Sequence, residues 1–438
     1  MKVVMVGTGY VGLVSGACFS EFGANVTCVD KDLEKINTLN EGNIPIYEPG
    51  LDEIVMRNLN SGRLKFTSDL SSAAKDADLI FIAVGTPSRR GDGHADLKYV
   101  YAAAEEIANN LIGYTVIVNK STVPVGTAKK VKSIIEKVNP NLDFDMASNP
   151  EFLREGSALR DFMRPDRVVI GVESKRAEEL LKSLYRPLNL IETPILFKDL
   201  ESAELIKYAS NAFLATKISF INELSMLSEK VGADIHAVSK GMGLDKRIGS
   251  KFLQVGPGYG GSCFPKDTLA LIQTFEDVGL VSRIVKSVVD TNSYQKERMI
   301  EKIKRSLDGS VSQKVITVLG LTFKPETDDM RDSPSLTILP ALINKGAKIR
   351  AHDPEGIEQA KKLLPDKIEY FSDIYEASSG ADAIILMTEW NQYRGLDLDL
   401  LKSKLKGRVF IDLRNIYEPD EMKISGFQYY CIGRGDNF

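Results

Sequence analysis

Cys263 stands in the run GYGGSCFPKDT (258–268), behind two glycines and ahead of Pro265, Lys266 and Asp267. Two readings fit that setting. A free cysteine in a turn is most often a small buried hydrophobe. It can also be a nucleophile, because glycine lets a substrate approach the backbone closely and a neighbouring ammonium favours the thiolate. The fragment alone leaves the choice open. A second candidate group is Lys207 and Asn211, four apart in a stretch without Gly or Pro. If that stretch is helical they share a face, which serves a solvated polar patch as well as a catalytic pair. A third is GTGYVG (7–12), which cradles phosphates only where a strand precedes it and a helix follows.

The surrounding elements supply that context. KVVMV (2–6) reads as a buried strand, LVSGACFSEFG carries helical periodicity, and NVTCVD is a second strand ending in Asp30. Gly7 makes the tight turn, Gly9 lets a pyrophosphate reach backbone N–H groups, and Gly12 lets the helix pack on the sheet. The helix N-terminus favours the phosphate charge. Asp30 suits a ribose diol and repels a 2′-phosphate, so the expected cofactor is NAD rather than NADP.

Further strands are expected at 78–87, 115–124, 144–152 and 167–172, separated by polar or helical sequence. Alternation of this kind implies a doubly wound parallel sheet with ligands at the strand C-terminal ends, where Thr86, Thr122 and Glu151 fall. Residues 199–231 read as one helix of about 50 Å, long enough to bridge domains or form a subunit interface. After 310 the α/β pattern restarts: QKVITVLGLTF is a strand, and DSPSLTILPALINKG a helix with Ser333 as N-cap and Pro334 at its first position. The expected division is therefore 1–198, 199–308 and 309–438: two Rossmann-like α/β domains joined by a helical region that carries the cysteine loop.

Composition narrows the class. Hydrophobic residues make up 43% of the 438, charged residues 26%, and the net charge is −4. That balance is ordinary for a globular protein and offers no electrostatic case for nucleic acid. The four cysteines are scattered without C-x-x-C spacing, which favours a reducing cytoplasm, and the three histidines show no metal spacing. The apolar N-terminal run is broken by Gly7, Gly9 and Gly12, so neither a signal peptide nor a membrane span is expected.

With GTGYVG, NPEFLREG, GPGYGGSCFPKD and FKPETDDMRDSP in this order, the chain resembles the UDP-glucose/GDP-mannose dehydrogenase family from Met1 to about Asn415. The resemblance implies two Rossmann-like domains joined by a long central helix that forms a dimer. It also implies oxidation of a primary sugar alcohol to a carboxylate with two NAD⁺, through a cysteine thiohemiacetal and thioester. Phe264 and the Pro265-Lys266-Asp267 run point to UDP-glucose as substrate and UDP-glucuronate as product. GDP-mannose or a UDP-N-acetylhexosamine is the neighbouring alternative, and a non-catalytic NAD-binding protein the remote one.

The roles implied by the resemblance follow its motifs. Cys263 is the covalent trap. Lys207 and Asn211 stabilise oxyanions, Asp267 with Thr122 holds a water during the first oxidation, and Glu151 activates water against the thioester. Cofactor contacts fall on Gly7, Gly9, Tyr10, Val11, Gly12, Asp30, Lys35, Thr86, Thr122, Glu155, Lys266 and Arg331. Substrate contacts fall on Glu151, Phe152, Leu153, Lys207, Asn211, Phe252, Gln254, Gly256, Tyr259, Gly260, Lys324 and Arg414, with Arg247 reaching in from a neighbouring subunit.

Overall fold

The computed structural model describes residues 1–89 and 93–434, so the last four residues of the expected C-terminal domain lie outside the described residues. The chain divides into two compact units, one comprising 1–210 with 273–278, the other 211–272 with 279 onward.

The first unit is built on β1 (Lys2–Val6), β2 (Asn25–Val29), β3 (Leu64–Thr67), β4 (Leu79–Ile82), β5 (Thr115–Asn119), β6 (Phe144–Ser148), β7 (Val168–Val172) and β8 (Ile195–Lys198). They form one sheet in the order β3-β2-β1-β4-β5-β6-β7-β8. Successive strand residues point to opposite faces, and both faces are covered here. Val3, Met5, Leu79 and Phe81 enter one apolar cluster, while Val4, Val6, Ile80 and Ile82 enter the other. That is why these strands read as continuous apolar runs rather than alternating ones. The chain order reverses between β1 and β4, which opens the ligand crevice of a doubly wound sheet at their C-terminal ends.

One pairing departs from the parallel expectation: β7 runs antiparallel to β6, with Ala147 opposite Val172. A parallel neighbour needs a crossover that returns along the sheet. The connection here spends its length on the loop after β6 and holds a helix of only 6 residues, Ala158–Met163. The edge strands β3 and β8 went unread because both have only four residues, LKFT being interrupted by a lysine and ILFK ending in one.

The second unit holds β9 (Val315–Leu319), β10 (Lys348–His352), β11 (Glu369–Tyr370), β12 (Ala383–Leu386), β13 (Val409–Asp412) and β14 (Gln428–Cys431). All are parallel, in the order β11-β10-β9-β12-β13-β14. The helix after β9 begins at Ser335, one residue later than expected, with Pro334 in the capping position. Ser333 still serves that end: its Oγ accepts from Ser335 N–H at 3.3 Å and donates to the Leu321 carbonyl at 2.6 Å. Helix ends of this kind shift by a residue or two with the geometry of the first turn.

The long helix is continuous over Leu200–Val231, 32 residues, and its residues belong to both units. Among the described residues no helix is long and apolar enough to cross a membrane.

Candidate functional site

The nucleotide loop of the first unit is shaped by sterics. A Cβ on Gly7 would lie 2.5 Å from the Ala83 carbonyl oxygen, and one on Gly12 only 2.0 Å from that of Gly7. Gly7 also sits at φ +103°, where glycine alone is comfortable. Gly9 differs: it is exposed, and a Cβ there would meet nothing within 4 Å. Two glycines therefore close the turn, and the third keeps open space in front of the N-terminus of helix Tyr10–Glu21, with half-buried Val11 in its first turn. That cradle fits a dinucleotide diphosphate.

At the end of β2, the Asp30 carboxylate accepts from Thr8 N–H at 2.8 Å and Thr8 Oγ1 at 2.7 Å, with Lys35 Nζ at 3.4 Å. Burial disfavours its charge, but the Thr8 donors and the Lys35 ammonium outweigh this and hold it below the usual carboxylate range. The sequence placed Asp30 and Lys35 on one ligand, and the structure places them against each other. On the rim beside β4, Thr86 Oγ1 donates to the Thr122 carbonyl at 2.9 Å.

Tyr10 brings in a residue the sequence reading missed. Its hydroxyl meets the Glu48 carboxylate, and Gly156 N–H donates to both at 2.9 and 2.8 Å. Glu48 also accepts from Leu159 N–H at 3.2 Å, so it fastens the 151–159 segment, which includes half-buried Glu155. Nothing in the spacing of IYEPG signals this partner.

Past β6 lies the buried charge of this unit. Glu151 pairs with Lys207 Nζ at 3.0 Å, with side-chain exposures of 7% and 3%. Its other oxygen accepts from Leu153 N–H at 2.6 Å. Phe152 lies between Lys207, 5.2 Å from its ring centroid, and Arg167 at 3.6 Å. Burial alone would raise the Glu151 pKa, yet Lys207, the Leu153 N–H and Lys120 together hold it below the usual range. Lys120 follows β5 and donates to Asn149 Oδ1 at 3.0 Å and Tyr185 OH at 3.4 Å. Burial pushes its ammonium down to about 7. The burial of Lys207 excludes the solvated-patch reading of that residue.

In the second unit the glycine loop is held by side-chain amides, none of which the sequence reading named. Asn292 accepts from Tyr259 N–H at 2.8 Å and donates to the Tyr259 carbonyl at 3.1 Å. Gly256 is tied likewise: its N–H donates to Asn222 Oδ1 at 2.9 Å, and its carbonyl accepts from Gln295 at 2.8 Å. All three amide residues are at most 7% exposed. Their partners lie more than thirty positions away in sequence, where no local pattern reaches. The glycines permit this approach. Gly258 sits at φ +120° with Asn292 Oδ1 3.0 Å from where a Cβ would be, and Gly260 packs on the Asp332 carbonyl.

Cys263 ends this loop, half-buried, with Ser262 Oγ 3.5 Å from its sulfur. The other three cysteines are buried, and burial pushes Cys28 and Cys431 up to about 12. Asp267 is fully buried and accepts from Asn211 Nδ2 at 2.6 Å, while the adjacent Lys266 ammonium meets its other oxygen. Asn211 is 6% exposed, so it is no solvated patch either, and its amide is engaged by Asp267.

The remaining substrate candidates of this unit fall into two sets. Phe252, Tyr259 and Phe264 stack edge-on, with centroids 6.1 and 5.9 Å apart. Arg414 donates to the carbonyls of Met387 at 2.7 Å and Phe323 at 3.0 Å, pairs with Glu389 at 3.0 Å, and would lie 3.0 Å from a Cβ on Gly256. Lys324 stands 5.7 Å from the Phe323 ring centroid. Outside this group, Gln254 is exposed, and Arg247, 89% exposed, forks onto Asp245 at 2.6 and 3.0 Å. Arg331 pairs with Asp329 at 2.8 Å, and its carbonyl accepts from Gly261 N–H at 2.7 Å.

Comparison with known proteins gives a consistent result. Residues 1–189 match the NAD binding domain of the UDP-glucose/GDP-mannose dehydrogenase family, 201–294 its central domain and 317–419 its UDP binding domain. A UDP-glucose 6-dehydrogenase of Rhizobium meliloti is 56% identical over 438 residues, covering 100% of both chains. A second, from Bacillus subtilis, is 49% identical over 99% of this chain and 93% of its own. A solved UDP-glucose dehydrogenase from the hyperthermophilic archaeon Pyrobaculum islandicum matches with a TM-score of 0.90 at 40% identity, covering 96% of this chain and 95% of that one. Three domain matches in chain order, and identity of this degree over full length, establish that the chain belongs to the UDP-glucose/GDP-mannose dehydrogenase family.

Proposed function

We propose that the protein is an NAD-dependent UDP-glucose 6-dehydrogenase, oxidising the C6 alcohol of UDP-glucose to the carboxylate of UDP-glucuronate with Cys263 as the covalent trap. The observation that carries this is the placement of the cysteines. Three are buried, and Cys263 alone stands half-open, at the end of a loop whose main chain is fixed by buried amides. NAD⁺ held by the 7–12 loop and Asp30 supplies the hydride acceptor for both oxidations.

The chain's own groups do the rest. A proton leaves the C6 hydroxyl, and the Lys207 ammonium and Asn211 amide are suited to steady the oxyanions that develop. Asp267, with Thr122, is the acceptor on the route by which that proton leaves. The Cys263 thiolate adds to the aldehyde carbon and gives a thiohemiacetal, whose oxidation leaves a thioester. Water, deprotonated by Glu151, attacks the acyl carbon; the C–S bond breaks and the thiolate returns. Glu151 suits this step because it remains ionised although buried. Lys324, Arg414 and the aromatic set of Phe252 and Tyr259 are the groups we assign to the nucleotide end, Arg being the better fork donor for a diphosphate.

Phe213 (65% exposed), Phe220, Leu227 and Val231 (64%) are large apolar side chains left open on the long helix. An apolar run of that size supports pairing with a second copy, and we assign Arg247 to the neighbouring copy's site. Four free cysteines support a reducing compartment, and we place the enzyme in the cytoplasm.

NADH absorbance with UDP-glucose, GDP-mannose and UDP-N-acetylmannosamine, each with NAD⁺ and NADP⁺, tests the assignment. The expected result is turnover with UDP-glucose and NAD⁺ at two NADH per sugar. Preference for another sugar, or equal efficiency with NADP⁺, overturns it.

A further inference from the structure

Lys120 is 4% exposed, yet among the described residues its ammonium has no carboxylate within ion-pair distance. Its bonds go to Asn149 and Tyr185, and Asn149 is a hub. The Asn149 amide oxygen also accepts from the Tyr185 hydroxyl at 2.5 Å, its amide nitrogen donates to the Val169 carbonyl at 2.8 Å, and its main-chain N–H bonds Asn119 at 2.8 Å. Two residues later the same turn delivers Glu151 to Lys207. An ammonium is costly to bury without a counter-charge. A neutral side chain could brace Asn149 equally well, so bracing alone does not explain a lysine here.

We infer that Lys120 is a positioning residue for Glu151: it fixes the turn through Asn149 and supplies, beside Lys207, a second buried positive charge that keeps the Glu151 carboxylate ionised while it activates water. This rests on the assignment of Glu151 as the hydrolytic base. The groups facing Lys120 are Glu151 on the loop after β6, Lys207 on the long helix and the Tyr185 hydroxyl, with the Cys18 thiol of helix Tyr10–Glu21 beside Tyr185. Below about pH 7 the Lys120 ammonium adds positive charge beside Glu151, which suits the oxyanion formed as water attacks the thioester.

The sign of the effect follows. A nearby positive charge lowers a carboxylate pKa, so losing one raises it, and a base is lost as pH falls through its pKa. Lys120→Met and Lys120→Gln are therefore expected to move the acid limb of thioester hydrolysis up by about one pH unit, roughly tenfold slower decay well below the limb, while Lys120→Arg keeps the wild-type limb. Neutral replacements remove a buried unpaired charge, so folding is expected to survive, and Lys120→Gln retains a donor for Asn149 should the methionine pack poorly.

The experiment forms the covalent species on Cys263 at neutral pH with UDP-glucose and NAD⁺, jumps the pH to values from 3 to 8 so that the window spans the limb of a carboxyl held below the usual range, and follows its decay by intact mass, with Glu151→Gln alongside. If Glu151→Gln retains the covalent species and only the neutral Lys120 variants shift the limb, the inference stands. If Glu151→Gln retains it but the Lys120 variants share the wild-type limb, the inference alone falls. If Glu151→Gln clears the species at the wild-type rate, the assignment of the base falls, and the inference with it.

Discussion

Asn292→Ala isolates what the amide clamp contributes. The substitution deletes two hydrogen bonds, 2.8 Å from Tyr259 N–H and 3.1 Å to its carbonyl, and strands both main-chain groups in a buried setting. Each buried polar group left unpaired costs about 1–3 kcal/mol, and water entering the vacated space recovers part of that, so ~3 kcal/mol against the ordered loop is a reasonable figure. At 1.4 kcal/mol per tenfold, the ordered loop falls roughly a hundredfold relative to open forms. Asn222→Ala removes the bond from Gly256 N–H, Asn222 Nδ2 having no hydrogen-bond partner among the described residues, and is expected to cost ~1.5 kcal/mol, roughly tenfold. The assay is kcat/KM for UDP-glucose, with the rate of iodoacetamide alkylation at Cys263 and a melting curve on each variant. The expected order is wild type, then Asn222→Ala, then Asn292→Ala. If Asn292→Ala keeps kcat/KM within threefold of wild type and alkylates at the same rate, the clamp does not position the cysteine.

Two further tests address the first unit. Gly9→Ala has open space for its methyl, so it is expected to keep its Tm and lose NAD⁺ affinity in a fluorescence titration, whereas Gly12→Ala, driven into the Gly7 carbonyl, is expected to lower Tm; a Gly9→Ala enzyme that binds NAD⁺ normally removes the loop from the cofactor site. Glu204, on the long helix, accepts from the Gly126 and Ala128 N–H groups at 2.6 and 2.8 Å, and burial, outweighing those donors, pushes its carboxyl up to about 7. A carboxyl raised in the folded state lends stability below its unfolded pKa and loses it as pH rises through 7, so wild-type Tm is expected to fall relative to Glu204→Gln between pH 5 and 8; parallel curves contradict that.

How much of this was legible in the sequence depends on the range of the interaction. The nucleotide loop could be read because strand, glycine turn, helix and acid follow one another within thirty residues, and the glycine roles are local sterics. The long helix was legible because no Gly or Pro interrupts it. The reversal at β7 was not, since the connection from β6 spends its residues on the loop that carries Glu151 and on a helix of only 6 residues, and strand composition does not record that. Lys120 and the three clamp amides escaped for another reason. A lysine, an asparagine or a glutamine in sequence is by default a surface residue, and only burial beside a particular main-chain group or carboxylate gives it a task. Lys207 and Asn211 were ambiguous on spacing alone for the same reason, and their burial settles only that they are not solvent-facing.

The covalent role of Cys263 is the claim on which the mechanism turns, and intact-mass measurement of Cys263→Ser incubated with UDP-glucose and NAD⁺ tests it most directly. The first oxidation needs no thiol, and a serine at that position can capture the aldehyde, but its hydroxyl is a poor nucleophile because it is un-ionised at neutral pH, and its alkoxide is a poor leaving group. The expected result is a substrate-sized acyl adduct mapping to position 263, with steady turnover reduced by several orders of magnitude. Production of UDP-glucuronate near the wild-type rate, with no adduct, would contradict the account.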